Sequence, residues 1–291
     1  MKKVLKPLIF LTAIIFILTG CNMPVLQPKG PVAETQFHLI IFSFIMMTII
    51  ILVVFILFGI VIFKFRANRK NDDDYDPDME GSRKLEFFWT LIPIVIVIIL
   101  AIPTVITTYD LEKNPSPDKK PITIEVTAAQ WKWMFRYPDQ GISTVNVVHI
   151  PANHPVRFIL NSETTMDSFW VPALGGQKYA MTGMTTQLFL QADEPGNFQG
   201  RNASFDGEHF AHMTFTVVAQ KKGDFDNWVK ETKANAPAMT TADFNKLLKP
   251  GLSKVRVFSS YPKAWDEKTK DLMMMNMPDM KGGEASEHGG H

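Results

Sequence analysis

The sequence predicts an α+β membrane protein: a two-helix transmembrane hairpin, then an exported antiparallel β-sandwich, then a C-terminal helical extension. Three observations predict it. Two runs without a charged residue, Leu39 to Phe63 and Phe87 to Tyr109, are each long enough to cross a bilayer. Beyond Tyr109 the pattern breaks into short alternating stretches divided by proline, glycine and asparagine. After Gly223 the apolar spacing lengthens again to a helical period.

The bulk composition narrows the function classes. A formal charge of +1 over 291 residues argues against a nucleic-acid protein. The single cysteine, Cys21, leaves the chain without an internal disulfide and without any metal site that needs two thiolates.

The chain opens with Lys2, Lys3 and Lys6, followed by an apolar stretch from Leu8 to Leu18 that is short for a span and reads as a secretory signal over residues 1–20. It ends in Leu18-Thr19-Gly20-Cys21, which resembles the lipobox of bacterial lipoproteins. The resemblance implies that Cys21 is diacylated and becomes the first mature residue. The alternative is a buried cysteine closing an uncleaved helix. Residues 21–37 then form an exported segment.

The first membrane helix is expected over 38–64 and the second over 86–109. Pro93 and Pro103 fall inside the second, which is tolerated where neighbouring groups satisfy the freed carbonyls. Lys64, Arg66, Arg69, Lys70, Arg83 and Lys84 lie in or beside the connection at 65–85, whereas Asn22 to His38 offers only Lys29. Basic residues mark the cytoplasmic side, so the connection faces inward and both mature ends face outward. The acidic run Asp72 to Asp78 does not alter this, because the rule counts lysine and arginine rather than net charge. A secreted Cys21 requires the same orientation.

In the exported half, strands are expected at Ile122–Val126, Thr144–Ile150, Val156–Leu160, Thr185–Gln191 and Met213–Ala219, within a domain spanning 110–221. Phe225, Trp228 and Val229, then Phe244, Leu247 and Leu248, mark short helices of an extension over 222–262, with Pro237 between them. Residues 263–291, with Met273, Met274, Met275, Met277 and Met280 and a histidine-bearing end, carry no fold pattern and are expected to be mobile.

Three motifs, in order, carry a family resemblance over Pro31 to Gln220. The second helix opens Leu85-Glu86-Phe87-Phe88-Trp89-Thr90-Leu91-Ile92-Pro93. The sandwich contains Gln130-Trp131-Lys132-Trp133-Met134-Phe135-Arg136-Tyr137, and later Ser168-Phe169-Trp170-Val171-Pro172-Ala173-Leu174-Gly175. Together these resemble subunit II of the haem-copper oxidases. The resemblance implies a cupredoxin-like sandwich, a bacterial cell-membrane location, and assembly with oxidase subunit I and the other subunits of the complex. On their own terms Trp131 and Trp133 read as core or interface tryptophans, and Trp89 as part of an interfacial belt.

Family members that accept electrons from cytochrome c carry two cysteines, a glutamate, two histidines and a methionine around a dinuclear copper centre. Placing the loop by Gly200, Gly207 and Met213 puts Asn202 and Asp206 at the cysteines, Ser204 at the glutamate, and Phe210 and Asp167 at the histidines. Only Met213 remains as a ligand. Soft thiolates hold copper in that geometry, and none is available. The resemblance then implies the quinol oxidase branch, with electrons entering from a membrane quinol at subunit I and no part for cytochrome c. Haems and copper are expected in subunit I, and no cofactor or catalytic residue in this chain. Glu86, at the cytoplasmic entrance of the second helix, matches the family's proton-uptake entrance, although a glutamate near a helix N-terminus is also favourable with the dipole alone.

Two alternatives remain open at this stage. One is a membrane lipoprotein copper chaperone, suggested by the sandwich and the methionine-rich, histidine-ended tail, since thioethers suit Cu(I). The other is a cytochrome c oxidase subunit with unusual ligands. His209, His212 and Met213 also invite a mononuclear copper site, but one without the cysteine such sites use as their strongest ligand.

Overall fold

In a computed structural model, residues 23–64, 81–267 and 269 are described. Cys21, most of the cytoplasmic connection and nearly all of the methionine-rich tail lie outside them.

Helix α1 runs Pro31–Lys64 and α2 runs Arg83–Asp110. At about 1.5 Å per residue both exceed the ~30 Å of hydrocarbon, so each can span it and reach into the interfacial regions. Proline at the first position of α1 removes an N–H that would have no partner there. Helix α2 runs unbroken through Pro93 and Pro103. Membrane hydroxyls are satisfied locally: Thr48 Oγ1 donates to the Phe44 carbonyl at 2.8 Å and Thr104 Oγ1 to that of Leu100 at 2.7 Å. The first turns of α1 do not enter the membrane region alone, because Val32 and Ala33 are buried.

The exported domain has two sheets. One orders its strands β11-β3-β2-β1-β5-β8, the other β4-β10-β9-β6-β7. Their ranges are β1 Ile122–Ala129, β2 Lys132–Tyr137, β3 Ile142–Val145, β4 Val147–Pro151, β5 Val156–Ser162, β6 Asp167–Trp170, β7 Lys178–Ala180, β8 Thr186–Leu190, β9 Gly196–Asn202, β10 Thr214–Gln220 and β11 Arg256–Phe258. Between the sheets lies an aromatic core. Phe169 stacks on Phe215 with centroids 4.7 Å apart, and Trp133 meets Phe169 edge-on at 5.3 Å.

The sandwich differs from the expectation in three ways. First, it is not wholly antiparallel: β1 pairs parallel with β5, and β4 with β10. Second, the single strand expected over 144–150 is two strands in different sheets. Asn146 takes a left-handed backbone, φ 57°, and turns the chain from one sheet to the other. Its side chain fixes the corner, with Oδ1 accepting from the Trp133 N–H at 2.9 Å and Nδ2 donating to the Ser253 carbonyl at 2.8 Å. Asparagine tolerates this conformation better than other non-glycine residues.

Third, the extension is part of the domain. Helices α3 Lys222–Asn235 and α4 Thr241–Leu248 form where the period predicts, and Thr240 and Asp243 cap α4 reciprocally. The extension then adds strand β11 to the first sheet. Phe244, Leu247, Phe258 and Trp265 build a second core with Ala129, Met134 and Val145 on the sheet's outer face. Strand β2 is consequently buried on both sides. Trp133, Phe135 and Tyr137 point into the sandwich core, and Lys132, Met134 and Arg136 lie under the extension. Lys132 Nζ donates to the Lys249 carbonyl at 2.7 Å just past the end of α4, and burial lowers its pKa to about 8. Residues 263–267, expected to belong to a mobile tail, are instead packed into the domain. Trp265 is 1% exposed, and its Nε1 donates to Thr127 Oγ1 at 3.2 Å.

Candidate functional site

Strands β6 and β9 pair antiparallel with Phe169 opposite Asn202, which brings Asp167 to the end of β6 beside the loop running from Asn202 to Met213. Asn202 is the hub. Its Oδ1 accepts the N–H groups of Ser168, at 2.8 Å, and Ser204, at 3.0 Å. Its Nδ2 donates to Asp167 Oδ1 at 2.8 Å and toward Met213 Sδ at 3.4 Å. Its N–H donates to the Met213 carbonyl at 2.9 Å, closing the loop on itself. Asp167 Oδ2 accepts from Ser162 Oγ at 3.1 Å and Thr165 Oγ1 at 3.2 Å.

The structure thus brings Asp167, Asn202, Asp206 and Met213 together, 35 residues apart in sequence at the Asp167–Asn202 contact. Ser204 takes part through its backbone. Phe210 stands apart, against the exposed Phe205 at 5.6 Å. His209 packs edge-on to Trp131 at 4.7 Å, while Met213 is fully buried beside Asn202, so His209 and Met213 are turned to different partners. Among the described residues no three His, Cys, Asp or Glu side chains are grouped to hold a metal. By pattern alone Trp131 reads as a core or interface tryptophan. It sits in the β1–β2 turn at φ 69°, a strained conformation for a tryptophan, and its indole lies over Gly207 of the loop.

Two carboxyl groups near each other in a water-poor site cannot both ionise cheaply. Burial, followed by the neighbouring charge of Asp206, pushes Asp167 up to about 7, against the opposing hydrogen bonds from Ser162 and Thr165. Burial also raises Asp206, against the opposing hydrogen bonds with Asp167 and with its own backbone. The folded protein therefore holds a proton here that the unfolded chain releases near pH 4. Stability from this site is fully present below the unfolded value and is lost as pH rises through about 7. The melting temperature of the exported domain is expected to fall between about pH 4 and pH 7, and Asp206→Asn to flatten that fall. An equally steep profile in the Asp206→Asn protein would show that the two groups are uncoupled.

At the far end of the hairpin, Glu86 is the fourth residue of α2. Its N–H donates to the Ser82 carbonyl at 2.9 Å, and its Oε1 lies 3.0 Å from where a Cβ on Gly81 would be. The carboxylate is folded back toward the cytoplasmic helix entrance.

A membrane hairpin feeding a two-sheet sandwich, with this strand-end loop, is the layout of a haem-copper oxidase subunit II. Residues 19–107 match the transmembrane domain of cytochrome c oxidase subunit II and residues 140–220 its periplasmic domain. The chain belongs to the cytochrome c oxidase subunit II family, and so is a subunit of a haem-copper oxidase complex, with a cupredoxin-like exported domain. Within the family it is 47% identical over 253 residues to quinol oxidase subunit 2 of Bacillus cereus, covering 86% of this chain and 87% of that protein. It is also 47% identical over 264 residues to quinol oxidase subunit 2 of Bacillus subtilis, covering 89% and 82%. Among solved structures, the periplasmic domain of cytochrome oxidase subunit II from Bradyrhizobium japonicum matches 40% of this chain and 96% of its own, at 24% identity and a TM-score of 0.39.

Proposed function

We propose that this chain is subunit II of a respiratory quinol oxidase, supporting a subunit I that carries the haems and copper and oxidises membrane quinol with reduction of dioxygen to water. The observation that carries this reading is the composition of the strand-end loop. A dinuclear copper centre needs bridging thiolates, and the sequence has no cysteine beyond Cys21, in the N-terminal segment. Where those ligands are expected, Asn202 is instead committed to Asp167, Met213 and the loop backbone. Such a loop holds itself shut by its own hydrogen bonds and has no group that takes up an electron from cytochrome c.

On this reading the exported domain is an assembly and support element. Glu86 serves as the proton-uptake entrance, and the protein is lipid-anchored through Cys21 with its sandwich on the outer face of a bacterial cell membrane. A copper chaperone would have no need of the two-helix hairpin, and the family match runs across that hairpin.

The electron donor tests the proposal. The purified complex is expected to consume oxygen with a soluble quinol and not with reduced cytochrome c. Sustained turnover with cytochrome c at a rate comparable to quinol would overturn it.

A further inference from the structure

The segment that follows Cys21 is tied to the sandwich before it enters the membrane. A single helical turn, Pro24–Leu26, leads to Lys29, whose N–H donates to the Ala173 carbonyl at 2.8 Å and whose carbonyl accepts from the Asp193 N–H at 2.9 Å. Gly30 is pressed so close that a Cβ would fall 1.9 Å from the Gln191 carbonyl oxygen, which only glycine allows. Val32 then packs against Gly175. Past this clamp, α1 and the loop after β6 diverge around an open cavity of about 400 Å³.

Its walls are mainly apolar: Val25, Phe37, Ile40, Trp170 and Pro172 line it, with Gln36 and Gln177 as the polar side chains and no charged residue among the described ones. Ala33, Gln36, Phe37 and Ile40 recur at helical spacing and so present one face of α1 to it. The uncharged run of α1 starts at Leu39, so the cavity straddles the outer boundary of the hydrocarbon. A lipid headgroup phosphate would find no cation there. An alkyl chain, which asks for no hydrogen bonds, fits the lining.

We propose that this cavity seats an acyl chain carried by the protein's own Cys21. The inference rests on the lipoprotein reading of Cys21. Val25 in the cavity wall lies four residues after Cys21, at most about 14 Å of extended chain. The tether keeps an acyl chain permanently within reach of the cavity. Seated there, it wedges the start of α1 against the 170–177 loop and fixes the sandwich over the bilayer.

Photocrosslinking in the intact complex tests this. Cells are fed a diazirine fatty acid, the complex is purified and irradiated, and the crosslinked peptides are mapped by mass spectrometry. The expected product joins the diacylglyceryl group on the Cys21 peptide to the peptide holding Trp170–Gln177 or Phe37, and Cys21→Ser is expected to abolish it while the hairpin keeps the protein in the membrane. An acylated Cys21 that crosslinks only elsewhere would overturn the proposal and leave the lipoprotein reading intact. Phospholipid adducts at Trp170–Gln177 in both proteins would assign the cavity to free membrane lipid and equally overturn it. An unmodified Cys21 by intact mass would overturn the lipoprotein reading and this proposal together.

Discussion

Arg136→Leu is expected to destabilise the exported domain by about 3–5 kcal/mol, the usual cost of removing one partner from a buried ion pair. Arg136 is 1% exposed. Its guanidinium donates through Nε to Glu125 Oε2 at 2.7 Å, again to that carboxylate through a second nitrogen, and to Asp266. Its Cζ sits 4.9 Å over the ring of Tyr261. Burial opposes the charge, yet the Glu125 carboxylate and the hydrogen bonds to Asp266 and Glu125 outweigh it and raise the arginine pKa. The network ties β1 and β2 to the segment after β11, so its loss releases the second core as well as stranding Glu125. Replacing Arg136 and Glu125 together by leucine is expected to recover most of the loss, since an apolar pair of similar volume is often neutral or better than a buried ion pair. Thermal unfolding of the exported domain within the complex measures both. A cost for Arg136→Leu of only ~0.5 kcal/mol, ordinary for a surface change, would mean that the network is incidental.

Glu86→Gln is expected to lower quinol oxidation about tenfold, equivalent to ~1.4 kcal/mol on the barrier, with the amount of assembled complex unchanged. The substitution keeps the size and hydrogen-bonding capacity of the side chain and removes only its titratable proton. The argument for a kinetic defect is one of placement. Basic residues around the connection put the start of α2 on the cytoplasmic side, where protons are taken up, and an ionisable group at the mouth of a membrane helix is a functional candidate. The competing account is that a carboxylate folded back over Gly81 simply complements the helix dipole. That role is worth only ~0.3–1 kcal/mol of local stability and predicts normal turnover. Steady-state rates at equal complex concentration, taken across pH, separate the two, and rates indistinguishable from the parent would remove Glu86 from the proton path.

The two membrane helices were legible in the sequence to within a few residues at their inner ends. In hydrocarbon the helix must satisfy its own backbone and show lipid an uninterrupted apolar surface, so the signal is one-dimensional. Strands β1, β5, β8 and β10 showed themselves by alternation, because each is bounded by turn residues that the chain itself supplies. The helices α3 and α4 followed from the spacing of their apolar residues. The lack of any cysteine beyond Cys21 was legible too.

What only the tertiary structure decided depends on contacts between distant residues. Asn146 looked like one more polar position in a strand, and its left-handed backbone emerges only where Trp133 and Ser253 grip its amide. Lys132 and Arg136 alternate with Trp133, Phe135 and Tyr137, a pattern that by itself puts them on a solvent face, but Phe244, Leu247 and Trp265 cover that face from more than 100 residues away. A polar residue under such a cover is stable only if its partners are built with it, and neither Glu125 nor Asp266 announces in sequence that it faces Arg136. The same holds at the strand-end loop. Asp167 and Asp206 are ordinary acids by composition, and folding alone brings them together with little water to separate their charges, which raises the affinity of the pair for a proton.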